Sequence, residues 1–268
     1  MSRRVLVTND DGIDAPGIRS LTRALADAGY EVRVVAPAAD HSGMSASLGS
    51  LARREPIYFE ERDLEEAPGV SAVAVATSPA GCALLALRGA FGDWRPDLVA
   101  SGINSGANTG SAIQFSGTIG AAFAGARMGY PSLAVSLGET DQPFSMDDPA
   151  ARFDAAAHLA VEVLTSVAEE PVVPGARNQL VYNLNVPGGP RDGWRGLVDA
   201  SPATMGHMKT GFEIVDGALL TSYIPSEAPD EPGTDRDMLL AGWATLTVLG
   251  LPEVGDAGSV IARSGKPD

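Results

Sequence analysis

Apolar and polar positions along the chain follow two periods in turn. Val5 to Val7 form an unbroken apolar triplet, the mark of a short buried strand, and Ile18, Leu21 and Leu25 then recur at helical spacing after Pro16. That helix is expected to end near Gly29, and "EVRVVA" from Glu31 is the next strand, stopped by Pro37. The rhythm continues with "VSAVAVA" from Val70, a helix from about Pro79 to Phe91, "DLVASG" from Asp97, a helix from about Thr118 to Met128, and "SLAVSL" from Ser132. Strands separated by helices predict an α/β fold with a mostly parallel sheet flanked by helices on both faces. Function is then expected at the carboxyl ends of the strands.

The second half changes character. A helix from about Ala150 to Val167 and a strand "QLVYNLNVP" from Gln179 continue the pattern, after which Pro and Gly thicken. "GFEIVDGALLTSY" from Gly211 places β-rich arms around Asp216-Gly217, a two-residue hairpin signal. A Pro-rich acidic stretch follows, and "ATLTVLGL" supplies one more strand. The chain therefore divides into a core over 1–200, a hairpin arm over 201–235, a return to the core over 236–254 and a frayed tail over 255–268. It has no internal repeat or low-complexity tract.

Composition narrows the function. With 268 residues and 44% hydrophobic content, one domain with an elaboration can bury its core without disulfides. No apolar run reaches membrane-spanning length, and "MSRRVLVTNDD" enters charged sequence too soon for a signal peptide, so a cytoplasmic protein with no membrane partner is expected. Cys82 is the single cysteine, which excludes an intrachain disulfide and a Cys-rich zinc site; in its helix-start setting it reads as a buried core thiol. A formal charge of −15 argues against a nucleic-acid duplex as partner. An anionic ligand would be repelled as well, unless a bound cation inverts the local field.

Three loops fall at strand ends: "TNDDG" after the first strand, "PAADHSGMS" after the second, and "SGINSGANTG", which runs on into "FSGTIGAA" at a helix start. Asp10 and Asp11, with a nearby Ser and Asn, form an oxygen set suited to a hard divalent cation. The plainer reading of Asp10 and Asp11 is a cap-and-turn pair, and of Ser42 and Asn104 ordinary turn residues. Ser116, Gly117 and Thr118 precede a helix, where free N–H groups and the positive dipole end favour phosphate, although an N-cap alone looks the same. His41 adjoins Ser42 as a phosphate contact, a proton donor or an exposed loop residue. His158 reads as structural, and His207 could approach a neighbouring subunit's site. No Ser-His-Asp triad is evident. The Asp-x-Asp of haloacid-dehalogenase-type phosphatases is absent because position 12 is glycine, and neither G-x-G-x-x-G nor G-x-x-x-x-G-K occurs.

In order and approximate spacing, "NDDGIDAPGI", "VVAPAADHSG", "SGINSGANTG", "FSGTIGAA", "GYPSLAVSL", "LNVP" and "GTD" make the chain resemble the SurE family, the stationary-phase survival proteins that act as metal-dependent 5′(3′)-nucleotidases. The resemblance covers most of the chain up to about Gly250. It implies a Rossmann-like α/β domain whose C-terminal arm exchanges between subunits of a homodimer or homotetramer. It makes Asp10, Asp11, Ser42 and Asn104 the ligands of one divalent cation per subunit, magnesium or manganese, with Asp10 the catalytic candidate. Asn9, Gly43, Asn108, Ser116, Gly117 and Thr118 would line the phosphate pocket. The expected activity is hydrolysis of a small phosphorylated substrate, a nucleoside monophosphate, by attack of metal-activated water. Gly81, Ala112 and Ala124 stand where the family usually carries acids. Those departures keep open a specialised phosphatase of another metabolite, or a catalytically weak nucleotide-binding or regulatory protein.

Overall fold

A computed structural model describes residues 2–138, 151–169, 180–189, 191–206, 208–225, 227 and 231–250. The alternation read from the sequence is present as β1 (Arg4–Thr8), α1 (Pro16–Asp27), β2 (Glu31–Pro37), a single turn α2 (Ser50–Arg53), β3 (Phe59–Arg62), β4 (Ser71–Val75), α3 (Pro79–Leu87), β5 (Leu98–Ser105), α4 (Gly117–Arg127), β6 (Ser132–Leu137), α5 (Ala151–Glu169) and β7 (Leu180–Val186). After β7 come β8 (Leu197–Asp199), β9 (Met208–Val215), β10 (Ala218–Pro225), α6 (Asp235–Leu240) and β11 (Ala244–Gly250). His207 and the tail over 255–268 lie outside the described residues.

Among the described residues nine strands form one sheet in the order β3-β4-β2-β1-β5-β6-β7-β11-β8. From β4 to β7 every pairing is parallel, whereas β3 and β11 run antiparallel to their neighbours β4 and β7. The chain builds outward from β1 to β2 and β4, then crosses to β5 on the other side of β1. The crevice outside the carboxyl ends of β1 and β5 is thus a topological switch point, the place where open α/β sheets bind ligands.

Strand periodicity sorts the core onto two faces. Val5 and Val7 point to the α1 and α5 side, where they meet Ile18, Leu21, Leu25 and Leu164, while Leu6 points to the other side with Val35, Val99 and Cys82. Cys82 is fully buried, and burial pushes its thiol pKa well above the ordinary value, so it is a core residue. On that second face α4 packs closely because its sequence, "GTIGAAFAGAR", is mostly small.

Pro16 occupies the first turn of α1, where its fixed φ suits the helix and its missing N–H costs nothing. The next residue, Gly17, lies directly against β5: a Cβ there would stand 2.0 Å from the Ile103 carbonyl oxygen. This contact sets the height of the β1 loop against the β5 loop. β9 and β10 form the hairpin read from the sequence, with Val215 opposite Ala218 and the turn residues Asp216 (φ 50°) and Gly217 (φ 78°) both left-handed, as a type I′ turn requires. Its side chains Phe212, Ile214, Leu219 and Leu220 are all more than half exposed.

Gly17→Ala is expected to lower the stability of the chain by about 1–3 kcal/mol through overpacking. A urea unfolding midpoint shows the loss, and an unchanged midpoint would mean that α1 and β5 separate at no cost.

Candidate active site

Asn9, Asp10 and Asp11 follow β1, and the turn that ends them depends on Gly12. Its φ is 95°, and a Cβ would stand 3.1 Å from the Ala39 carbonyl carbon, so the β1 loop touches the β2 loop with no room for a side chain. His41 N–H donates to the Asp10 carbonyl at 2.8 Å, and Ile13 N–H to Pro37 at 2.9 Å. Ser105 N–H donates to Asp11 Oδ2 at 3.2 Å, bringing in the β5 loop. The fourth wall is α4: a Cβ on Gly117 would lie 2.8 Å from Asp10 Cβ, and Thr118 Oγ1 donates to Asp10 Oδ1. Four separate stretches of chain therefore meet at the two carboxylates.

Burial is the main influence on both acids. It raises the Asp10 pKa, Thr118 pulls it back through its hydroxyl and backbone N–H, and the Asp40 charge adds a smaller upward push. Asp11 is pushed up to about 6, first by burial and then by the Asp10 charge, with Ser105 N–H opposing. Neither carboxylate has an Arg or Lys ion pair among the described residues. Two adjacent acids, Asp10 buried and Asp11 half-buried, without a basic partner suit a divalent ion, and the buried Asn9 Oδ1, which has no partner, adds another oxygen in the same loop. Among the described residues no three His, Cys, Asp or Glu are grouped to hold a metal. A cation here would rely on the carboxylate pair plus neutral oxygens.

The neutral candidates differ in how they are held. Asn104 Nδ2 donates to the Gly106 carbonyl at 2.7 Å, which leaves Oδ1 as its ligand atom. Ser42 is exposed, and both its N–H and its hydroxyl donate to Asp40 Oδ1, at 2.7 and 2.6 Å, so its loop is fixed by Asp40. Gly43, beside it, is open to solvent. His41 is half-buried with Nδ1 at 2.9 Å from the Ala39 carbonyl. Asn9 is buried, and its Nδ2 donates to the Gly12 carbonyl at 2.8 Å. Ser116 caps α4 by accepting from Ile119 N–H at 3.1 Å, so of the Ser-Gly-Thr triplet two hydroxyls already have tasks within the protein. Gly117 brings a backbone N–H and no side chain to block approach.

Asn108 is buried and fastened to the sheet. Its N–H donates to Asn185 Oδ1 at 2.7 Å, its carbonyl accepts from Asn183 and Asn185, and its own amide donates to Ser136 Oγ at 2.9 Å. Asn183 and Asn185 were not expected to serve the site. Their signal is two amides at alternate positions of an otherwise apolar strand, which must find partners when buried. Asp235 was also missed. It is fully buried and accepts from Gly110 N–H at 3.0 Å, Ala203 N–H at 2.8 Å and Arg236 N–H at 2.7 Å, which holds the β5 loop to the base of the arm. It ends the Pro-rich acidic stretch, in the "GTD" of the family resemblance, to which no role was given. Thr234, which caps α6 just before Met238 and Leu239, was the available helix signal.

The sequence profile of the family described as Survival protein SurE matches residues 5–209. The chain belongs to the SurE family. A 5′-nucleotidase SurE of Nitratidesulfovibrio vulgaris is 38% identical over 252 residues, covering 91% of this chain and 86% of that protein. Another from Methanopyrus kandleri is 37% identical over 259 residues, covering 94% and 93%. The SurE protein of Aquifex aeolicus, known from a crystal structure, matches with a TM-score of 0.74 at 28% identity over 97% of each chain. Against the SurE pattern, two of the unusual residues here are packing positions. Gly81 sits where a Cβ would stand 2.8 Å from Thr77 Oγ1, and Ala124 packs on Ala80 and Ala83 between α3 and α4. Ala112 lies in the 3₁₀ turn Gly110–Gln114.

The carboxylate pair makes stability depend on pH in a defined direction. An acid whose pKa is raised by folding opposes folding once the unfolded chain ionises, so the metal-free chain should lose stability as pH rises from 3.8 through about 6. Asp11→Asn should remove that loss, raising metal-free stability at pH 7 by on the order of 1–2 kcal/mol after allowance for solvent screening. Urea melts in chelator at pH 5 and pH 7 measure it. A variant less stable than the parent at pH 7 would contradict the electrostatic assignment.

Proposed function

We propose that the chain is a phosphoric monoester hydrolase, a divalent-metal-dependent nucleotidase that converts nucleoside monophosphates to nucleosides and phosphate. The observation that carries this reading is the pair of a buried Asp10 and a half-buried Asp11, without an Arg or Lys ion pair among the described residues, beneath the N-terminus of α4. The names of the relatives point the same way, since both are 5′-nucleotidases. Asp10, Asp11, Ser42 and Asn104 would hold one magnesium or manganese ion. That ion, when bound, polarises the phosphoryl group and lowers the pKa of water beside it.

The chain's own residues supply the rest. The Gly117 N–H and the positive end of α4 attract the phosphoryl oxygens and stabilise charge that grows on them as water attacks in line. Asn9, Gly43, Asn108, Ser116 and Thr118 complete the lining. Thr118 fixes Asp10, the proposed catalytic carboxylate, in one orientation through its hydroxyl. Asn108 acts from a rigid base because the sheet holds both its backbone and its amide. The unusual Gly81 and Ala124 lie in the packing of α3 and α4, which supports the hydrolase reading over a catalytically weak binding protein.

We also propose the division into a core over 1–200, an arm over 201–235 and a return over 236–254, with the arm exchanged in a homodimer or homotetramer. An isolated hairpin is marginal in water, and the exposed apolar residues of β9 and β10 need a partner. No helix among the described residues is long and apolar enough to cross a membrane, which fits the cytoplasmic setting proposed for a protein acting on a small soluble phosphate ester.

Three outcomes are expected. Chelation abolishes phosphate release from nucleoside monophosphates, and manganese or magnesium restores it; full turnover in chelator sinks the metal assignment. Asp11→Asn loses most activity, at least about 100-fold in kcat, while remaining folded; unchanged turnover at saturating manganese argues against its role. Deletion of 211–223 gives a monomeric or aggregating chain with impaired activity, whereas light scattering that finds the full-length chain monomeric at micromolar concentration defeats the exchanged arm.

A further inference from the structure

The candidate site offers carboxylates, amides and hydroxyls, yet apolar side chains stand at its rim. Phe115, the residue before the Ser116 cap, is 64% exposed, and Met44, on the β2 loop, is 40% exposed. Their loops are joined, because Ser45 N–H donates to the Phe115 carbonyl at 3.1 Å. The Met44 loop also lies flat on α4, where a Cβ on Gly120 would stand 2.2 Å from the Ser45 carbonyl oxygen. Met44 itself is set by consecutive turns, its N–H donating to His41 at 3.2 Å and its carbonyl accepting from Ser47 at 3.1 Å. His41 N–H in turn rests on Asp10. Both apolar residues are thus anchored to the same loops that hold the carboxylates and the phosphate-binding turn.

Spacing gives this rim a purpose. Two residues of chain span at most about 7 Å, so the Phe115 backbone lies within that distance of Gly117. In a nucleoside monophosphate, the ribose holds the base at a comparable distance from phosphorus. A ring beside a phosphate cradle can stack on any base, and a thioether adapts to the base edge. A second copy's arm could cover the same ring, and the test separates the two.

We propose that Phe115, supported by Met44, is the platform for the substrate's base. It is a specificity-determining residue that makes nucleoside monophosphates the substrate class, purines before pyrimidines and both before sugar phosphates that lack a base. This rests on the phosphomonoesterase reading above.

The experiment compares kcat/KM for adenosine 5′-monophosphate, cytidine 5′-monophosphate and ribose 5-phosphate in the manganese-loaded enzyme, in Phe115→Ala and in Phe115→Trp. The ratio of the adenosine ester to ribose 5-phosphate is expected to fall about 10-fold in Phe115→Ala, through KM, and to survive in Phe115→Trp. An unchanged ratio overturns the platform, as does a loss shared equally by all three esters with a change of mass in light scattering, which would assign Phe115 to a subunit contact. If the unmodified enzyme releases phosphate from none of them, the phosphatase reading has failed, and calorimetric titration with adenosine, which is not consumed, then decides. Binding weakened by Phe115→Ala supports the platform, and equal binding to both proteins overturns it.

Discussion

The site is organised around one buried contact, the Asp10 carboxylate under the first turn of α4. Gly117 allows the helix to come this close, since any side chain there would strike Asp10, and Thr118 supplies the hydrogen bond that the approach would otherwise leave unmade. A negative charge at a helix N-terminus is favoured by the dipole, which offsets part of the cost of burial. The same helix end is also the place where a phosphate would bind. Two anions at one helix terminus repel unless a cation lies between them, so the geometry that buries Asp10 supports the proposal of a metal there.

The remaining contacts fix the surroundings of that pair. Gly12 and Gly17 bring the β1 loop against the β2 loop and against β5, with no space left for a side chain at either position. Asn183 and Asn185 hold Asn108 from β7, and Asp235 ties Gly110 to the root of the arm. A rigid sheet thus supports a polar loop that has no secondary structure of its own over much of its length. Asp235 is thus shared between the arm root and the loop after β5 that carries Asn108.

Much of this was legible in the sequence because the signals were local. Apolar triplets and helical spacing marked β1, α1, β2 and α4 within a few residues of their observed ends, and Asp216-Gly217 declared the hairpin. Asp10 and Asp11 stood out because charged residues rarely end a buried strand. What escaped was set by long-range contact. β3 is a short edge strand of mixed polarity that exists because β4 offers it a free edge. Asp235 was visible only as the end of an acidic stretch and of "GTD", and only the fold shows that the N–H groups of Gly110 and Ala203, distant in the chain, converge on it beside that of Arg236. The hydroxyls of Ser42, Ser116 and Thr118 were picked out by type, but their present partners, Asp40, the α4 cap and Asp10, depend on side-chain geometry that spacing does not encode.

The central claim is that the Asp10 and Asp11 pair is a cation site completed by neutral oxygens. Crystals of the protein grown with manganese, measured near the manganese absorption edge, test it most directly. The account predicts one anomalous peak per chain, bridging Asp10 and Asp11, with oxygens of Ser42 and Asn104 at coordination distance. A map with no peak at the pair, or with manganese held by other residues, would contradict it.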